Sequence, residues 1–311
     1  MQRWRGLDAV PSGWGRSVVT VGVFDGVHRG HQQLIAAAVA AGRARGLPTV
    51  LVTFDPHPAE VVRPGSHPAR LTELRRRADI VAQLGVDAFL VLPFTTELSR
   101  RTPAEFAHET LVEGLHAAAV LVGRNFTFGY RATGDVAALA EFGRRFGFAV
   151  EGVELATEGA GDHVTFSSTY IRACIDAGDV EAAAAALGRP HRVEGVVVHG
   201  YRRGRTLGFP TANVASAPHT ALPADGVYAG RFVLGERRLP AAVSVGSNPT
   251  FSGTVRTVEA YVLDVDEDFY GHEVGVDFVA RLRGQERYDD MDALVAAIHG
   301  DVARTRALLG A

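Results

Sequence analysis

The chain has 311 residues and not one lysine, so all 32 of its basic side chains are arginines. Two chemistries fall with that absence. A Walker-type phosphate loop needs its lysine on the β- and γ-phosphates. A Schiff-base enzyme needs an amine nucleophile. Any nucleoside triphosphate must instead meet backbone amides, histidine, arginine or a metal ion. Cysteine is nearly as scarce. Cys174 stands alone, which excludes an internal disulfide and a multi-cysteine zinc site and points to a reducing cytoplasm. No apolar run reaches the roughly 18 residues of a membrane span. Residues 1–15 lack the basic-then-apolar layout of a secretory leader. A net charge of −3 supplies no global basic field, so neither nucleic acid nor a membrane is an expected partner.

What is present is an ordinary globular balance, 47% hydrophobic and 22% charged. The length exceeds the usual span of about 100–200 residues per domain, so two domains are expected. In the first, strand-like and helix-like segments alternate. Strands are predicted over 17–24, 49–54, 87–94, 118–123 and 148–153, and helices over 32–45, 73–84, 103–115 and 136–146. Leu34, Ile35, Ala38 and Val39 recur at helical spacing, as do Ile80, Val81 and Leu84. Thr102-Pro103-Ala104-Glu105 reads as a capping box with proline at the first helical position. This alternation implies an α/β fold with a doubly wound parallel sheet. Ligands bind such sheets beyond the carboxyl ends of the strands.

After Gly188-Arg189-Pro190 the texture changes. Short strands are predicted over 192–198, 226–234, 240–245, 256–264 and 273–282. Many alternate with period two, with Gly or Pro between them, as in a small antiparallel β-barrel. A closing helix is predicted over 291–309. The run 182–186 reads as a plain helix between the domains. The expected division is therefore 1–187 and 188–311.

Two segments carry phosphate-handling patterns. The first is Gly22-Val23-Phe24-Asp25-Gly26-Val27-His28-Arg29-Gly30-His31, between a predicted strand and a predicted helix. A helix N-terminus offers unpaired N–H groups and partial positive charge to a phosphate. Gly26 and Gly30 let backbone approach it closely. Two imidazoles there could stabilise charge on a pentacoordinate phosphorus. Taken alone, the pair also reads as a solvated loop. No third ligand lies close in sequence to make it a metal site. Further on, Ser167-Ser168-Thr169 precedes a helix and Arg172 follows one turn in. By itself that is a plain N-cap.

Together these segments resemble the H-x-G-H and S-S-T-x-x-R signatures of the nucleotidyltransferase superfamily. With Thr53-Phe54-Asp55-Pro56-His57-Pro58 and Val122-Gly123-Arg124-Asn125-Phe126-Thr127-Phe128-Gly129, the set resembles the N-terminal module of the bacterial bifunctional riboflavin kinase/FMN adenylyltransferase family. The resemblance implies that His28 and His31 contact the ATP phosphates. It implies that Gly22, Phe24, Asp25, Gly26, Gly30, Ser168, Thr169 and Arg172 belong to the nucleotide site. It places Asn125, Phe126, Phe128 and His57 on the flavin side. The chain departs from the family pattern at Tyr170, where arginine is frequent.

The second segment is Gly200-Tyr201-Arg202-Arg203-Gly204-Arg205-Thr206-Leu207-Gly208-Phe209-Pro210-Thr211-Ala212-Asn213. Three glycines make a loop whose amides can wrap phosphates. Thr211 and Asn213 offer oxygen ligands that suit Mg²⁺. The Gly-Phe-Pro-Thr-Ala-Asn string resembles the P-T-A-N motif of riboflavin kinases. Over 257–263, Val258, Ala260 and Val262 alternate with Glu259 and Tyr261. The resemblance implies that Gly204, Gly208, Pro210 and Thr211 hold nucleotide. It implies that Thr211 and Asn213 hold the metal, and that Glu259 is the general base toward the ribityl 5′-hydroxyl.

The expected activity is phosphorylation of riboflavin to FMN, then adenylylation of FMN to FAD with release of pyrophosphate. ATP is the co-substrate of both steps and Mg²⁺ the expected cofactor. The sequence leaves an oligomer open. Two other readings also stand at this point: an enzyme with only one of the two activities, and a flavin-binding sensor without turnover.

Overall fold

The computed structural model describes residues 1–65, 68–154, 166–200, 208–250, 253–288 and 290–310. The chain divides into two compact units. One comprises Met1–Pro68 and Leu74–Phe166, the other Ala69–Glu73 and Ser167–Ala311.

The first unit holds a six-stranded sheet: β1 (Gln2–Arg5), β2 (Ser17–Val21), β3 (Thr49–Asp55), β4 (Ala88–Pro93), β5 (Ala117–Gly123) and β6 (Ala149–Val153). Every pairing is parallel, in the order β1-β4-β3-β2-β5-β6. Successive side chains of a strand face opposite sides, and two cores result. Val18, Leu51, Phe89 and Leu121 pack with Leu34, Ile35 and Ala38 of α1 (Arg29–Arg45) and Val81 of α3 (Leu74–Gln83). Val19, Val52, Leu90 and Val120 pack on the other face with Phe106 and Leu139. Leu139 belongs to α6 (Val136–Phe146). Between these elements lie the short α2 (Pro58–Val62) and α4 (Thr96–Ser99). The chain runs from β2 outward to β3 and β4, then crosses back to β5. The strand order reverses between β2 and β5, and the crevice at such a reversal is where these sheets bind ligands.

The expected capping box is present. Thr102 Oγ1 accepts from the Glu105 amide at 3.2 Å, and Glu105 Oε2 accepts from the Thr102 amide at 2.7 Å. The helix it opens is α5 (Pro103–Phe106). Instead of continuing as regular α-helix to 115, it passes into a π-helical stretch, Ala107–Gly114. Strand β2 stops at Val21 rather than at 24, because Phe24 turns to φ 53°. Strand β1 was not foreseen.

In the second unit, α7 (Ser168–Ala177) and α8 (Val180–Leu187) precede a closed barrel. Its strands are β7 (His191–Val198), β8 (Ala212–Ser216), β9 (Gly226–Leu234), β10 (Arg237–Thr250), β11 (Gly253–Val262) and β12 (Glu273–Arg283). They pair antiparallel in the order β10-β11-β8-β7-β12-β9. Val193, Val214, Tyr228, Phe232, Val243, Val258 and Phe278 fill its interior. The closing helix α9 (Met291–Leu309) is capped by Asp290. Buried Asp301 ties it to β12, accepting from Arg283 at 2.7 Å. Arg192 and Asp277, opposite each other on β7 and β12, form a buried two-pronged pair at 2.5 and 2.6 Å. Strand β8 was expected as the end of a loop, so Asn213 lies on a strand.

Candidate active site

In the first unit, His28, His57 and Asn125 follow the carboxyl ends of β2, β3 and β5, beside the strand-order reversal. The segment from Gly22 to His28 is a tight arch. Phe24 has φ 53° and Val27 φ 40°, a region that β-branched and bulky residues rarely enter. Such strain persists only where the surroundings over-determine it. Here they do. Phe24 and Val27 are fully buried. The Val23 carbonyl accepts from Thr53 Oγ1 at 2.8 Å and from Arg77 at 2.9 Å. The Val27 carbonyl accepts from Gln32 Nε2 at 2.8 Å.

The arch delivers His28 to the N-cap of α1. Its Nδ1 accepts from the His31 amide at 3.3 Å, so in the neutral ring the proton sits on Nε2. The His28 and His31 rings stack at 3.6 Å between centroids. The first turn of α1 carries no acidic side chain, leaving the positive end of the helix dipole uncompensated. Burial, then His28, then the Arg77 charge hold the His31 imidazole well below its ordinary value of 6.5. Its Nδ1 is buried without a hydrogen-bond partner. Two imidazoles at a helix N-terminus, one held neutral by burial and with an unmatched buried nitrogen, suit a polyanion that brings its own charge.

The remaining residues expected at this site take varied positions. Asp25 is buried and accepts from Arg77 at 3.3 Å. Gly30 is buried in the first turn of α1. His57 caps α2, its Nδ1 accepting from the Ala59 amide at 3.1 Å. Asn125 is exposed. Phe126 stacks on Phe128 at 5.4 Å, and Phe128 belongs to the core beside Phe106. Ser168, Thr169 and Arg172 lie in the second unit, on α7. There the N-cap is Ser167, whose hydroxyl accepts from the Tyr170 amide, and Arg172 Nε donates to the Ala69 carbonyl at 2.6 Å.

Arg77 escaped the sequence reading. Arg75-Arg76-Arg77 looks like a solvated run. The available signal was spacing: Arg77 precedes Ile80 and Val81 by three and four residues, so it shares their buried stripe.

In the barrel, Glu259 stands on β11 directly opposite Asn213 on β8. Thr211 Oγ1 donates to Glu259 Oε2 at 3.2 Å. Val258, Ala260 and Val262 face inward as expected, and Glu259 and Tyr261 are half-buried on the other face. Phe209 anchors the motif against Tyr261 and His299 of α9. A Cβ on Gly200 would come within 2.4–2.6 Å of the Asn213 side chain, so a larger residue there would push the Asn213 amide aside. Pro210, Thr211 and Asn213 line a cavity of about 270 Å³ that extends to Phe269 and Tyr270, with Asp266, Glu267 and Asp268 also along its wall. Gly208 adopts φ 83°. Gly204 lies outside the described residues. Among the described residues no cluster of three His, Cys, Asp or Glu side chains could hold a metal ion. Thr211, Asn213 and Glu259 nonetheless bring three oxygen-bearing side chains together, a donor set that fits Mg²⁺.

Fold and sites together define a two-unit transferase, with a nucleotidyltransferase-type sheet and a flavokinase-type barrel. Comparison with known proteins agrees. Residues 11–170 match the FAD synthetase family model and residues 187–309 the riboflavin kinase model. Bifunctional riboflavin kinase/FMN adenylyltransferases are similar along nearly their whole length. That of Escherichia coli K12 is 36% identical, with 94% of this chain and 93% of the relative covered. That of Pseudomonas fluorescens is 37% identical, with 99% and 98% covered. That of Listeria monocytogenes is 38% identical, with 93% and 91% covered. The chain belongs to the bifunctional riboflavin kinase/FMN adenylyltransferase family. A crystal structure described as a macrolide-efflux protein from Streptococcus pneumoniae superposes with a TM-score of 0.89. It is 32% identical and covers 98% of this chain and 99% of its own. Among the described residues here, no helix is long and apolar enough to cross a membrane.

Proposed function

We propose that the two reactions of this family are divided between the units, with riboflavin phosphorylated in the barrel and FMN adenylylated at the parallel sheet. The observation that carries this division is that each unit has its own cluster of chemically matched groups. By sequence motif the adenylyltransferase module is 1–187 and the kinase module 188–311, whereas the compact units place 69–73 and 167–187 with the barrel. The protein works in the cytoplasm, in keeping with its single cysteine.

In the barrel, Glu259 takes the proton of the ribityl 5′-hydroxyl as its oxygen attacks the γ-phosphorus of ATP, and ADP leaves. The Thr211 hydroxyl holds the carboxylate in place. The acidic wall of the cavity repels phosphate, so the triphosphate lies toward Thr211 and the neutral nucleoside toward Phe269 and Tyr270. By their motif, Gly204, Gly208 and Pro210 serve the nucleotide. Mg²⁺, held by Thr211 and Asn213, would offset phosphate charge when bound.

At the sheet, a phosphate oxygen of FMN attacks the α-phosphorus of ATP, and pyrophosphate leaves. His28 and His31 donate hydrogen bonds to the phosphate oxygens as charge builds. Gly26 and Gly30 allow close backbone approach. Gly22, Phe24 and Asp25 fix the arch. Ser168, Thr169 and Arg172 carry the second signature of the family. Asn125, Phe126, Phe128 and His57 serve the flavin.

The test is a chromatographic time course of flavins with riboflavin, ATP and Mg²⁺. FMN rising first and FAD later is expected, and chelation of Mg²⁺ should stop both. FMN without FAD would remove the adenylyl-transfer assignment. Flavin bound without conversion would favour a sensor.

A further inference from the structure

Arg77 is an unusual residue to find inside a sheet-facing helix. Its guanidinium side chain is only 6% exposed, and its partner Asp25 is 2% exposed. A buried charge is tolerated only when paired and hydrogen-bonded. Three hydrogen bonds from the Arg77 guanidinium go to one short stretch of chain and the strand beside it. Arg77 donates to the Val23 carbonyl at 2.9 Å, to Asp25 Oδ1 at 3.3 Å and to Thr53 Oγ1 at 3.4 Å. Phe24, between Val23 and Asp25, is one of the two strained residues of the arch. Arg77 therefore clamps the entry of the arch, Gln32 clamps its exit at Val27, and His28 follows at once.

We propose that Arg77 is a positioning residue for adenylyl transfer: from beneath the loop it holds the strained Val23–Val27 arch that sets His28 and His31 toward the nucleotide phosphates. This rests on the assignment of His28 and His31 to that reaction. Arg77 is too deeply buried to touch substrate, so its effect passes through the histidines. The titratable and charged groups acting on His31 are His28, from the start of the same helix, and Arg77 from α3. Asp25 in turn faces Arg77.

The test uses the full-length protein with Arg77→Met. That change removes the buried cation beside the Asp25 carboxylate, so Arg77→Met with Asp25→Asn is measured beside it. FAD formation from FMN should fall at least about 100-fold in kcat, the scale of a lost transition-state contact. KM for ATP should change by less than about threefold, because the lost interaction is made chiefly in the transition state. Riboflavin phosphorylation by the same preparation should stay within about twofold, since the arch and the strand that Arg77 bonds belong to the first unit. The His31 limb of the pH profile should move to higher pH, because a nearby positive charge is gone. A merely structural role would lower both reactions together rather than kcat for FAD formation alone. Near-normal FAD formation in both variants would overturn the proposal, as would a parallel loss of the kinase reaction or an unmoved pH limb. His28→Ala is run alongside. If it too leaves FAD formation intact, the assignment of the first site fails, and the proposal falls with it for that separate reason.

Discussion

His28 and His31 stand on an arch and a helix tip, whereas Glu259 and Asn213 stand on neighbouring strands of a closed barrel. The first arrangement is bent into shape. Two non-glycine residues take positive φ, and Arg77, Thr53 and Gln32 bond the arch from below. The second needs no such clamp. Antiparallel pairing of β8 and β11 already sets Asn213 opposite Glu259, and one hydroxyl aligns the carboxylate. A loop site therefore depends on buried residues that never meet substrate. A ladder site depends on strand register and little else. That contrast makes separable expectations for the two activities.

The largest effect is expected at the general base. Glu259→Gln should lower FMN formation about 10²–10⁴-fold and leave FAD formation from supplied FMN unchanged, read by flavin chromatography. His28→Ala should lower FAD formation about 10²–10³-fold and spare the kinase. If His28→Ala stops FMN production instead, the modules are reversed.

A structural break in the barrel should also stay local. Asp277→Ala leaves Arg192 buried and unpaired and should cost about 3–5 kcal/mol. Both tryptophans, Trp4 and Trp14, lie in the first unit. Loss of kinase activity should move to lower urea while the tryptophan transition moves less. Equal movement of both would contradict a local effect.

A smaller effect concerns pH. His31 is held well below 6.5 in the folded chain. As pH falls below about 6.5, the unfolded chain takes up a proton that the folded chain resists, so stability is lost. The loss continues down to the folded-state value and is absent above about 6.5. The tryptophan-detected urea midpoint should drop on acidification, and His31→Gln should flatten that dependence. An unchanged slope in His31→Gln would assign the proton elsewhere. Smallest of all, Thr102→Ala removes the cap of α5 and should cost about 1 kcal/mol, seen in the same tryptophan transition.

Much of this plan is legible along the chain. The span 136–146 matches because Asp135 and Gly147 cap both ends of an amphipathic run. The span 291–309 matches for the same reason, with Asp290 and Gly310. The alternation around Glu259 correctly separates its inward and outward faces. Other features depend on distant partners. Residues 2–5 become a strand only by pairing with β4, and Ala212–Ser216 only by lying between β7 and β11. The positive φ of Phe24 and Val27 runs against local preference and needs Arg77, some fifty residues away, to hold it. Helical spacing marks Arg77 as buried, but nothing local shows what it holds.

The division of labour is tested most directly by assaying Glu259→Gln and His28→Ala side by side, each started once from riboflavin and once from FMN. Glu259→Gln should fail from riboflavin and make FAD from FMN. His28→Ala should make FMN from riboflavin and stop there, and should make nothing from FMN. Equal loss of both reactions in either variant, or loss of neither, would contradict two separate sites.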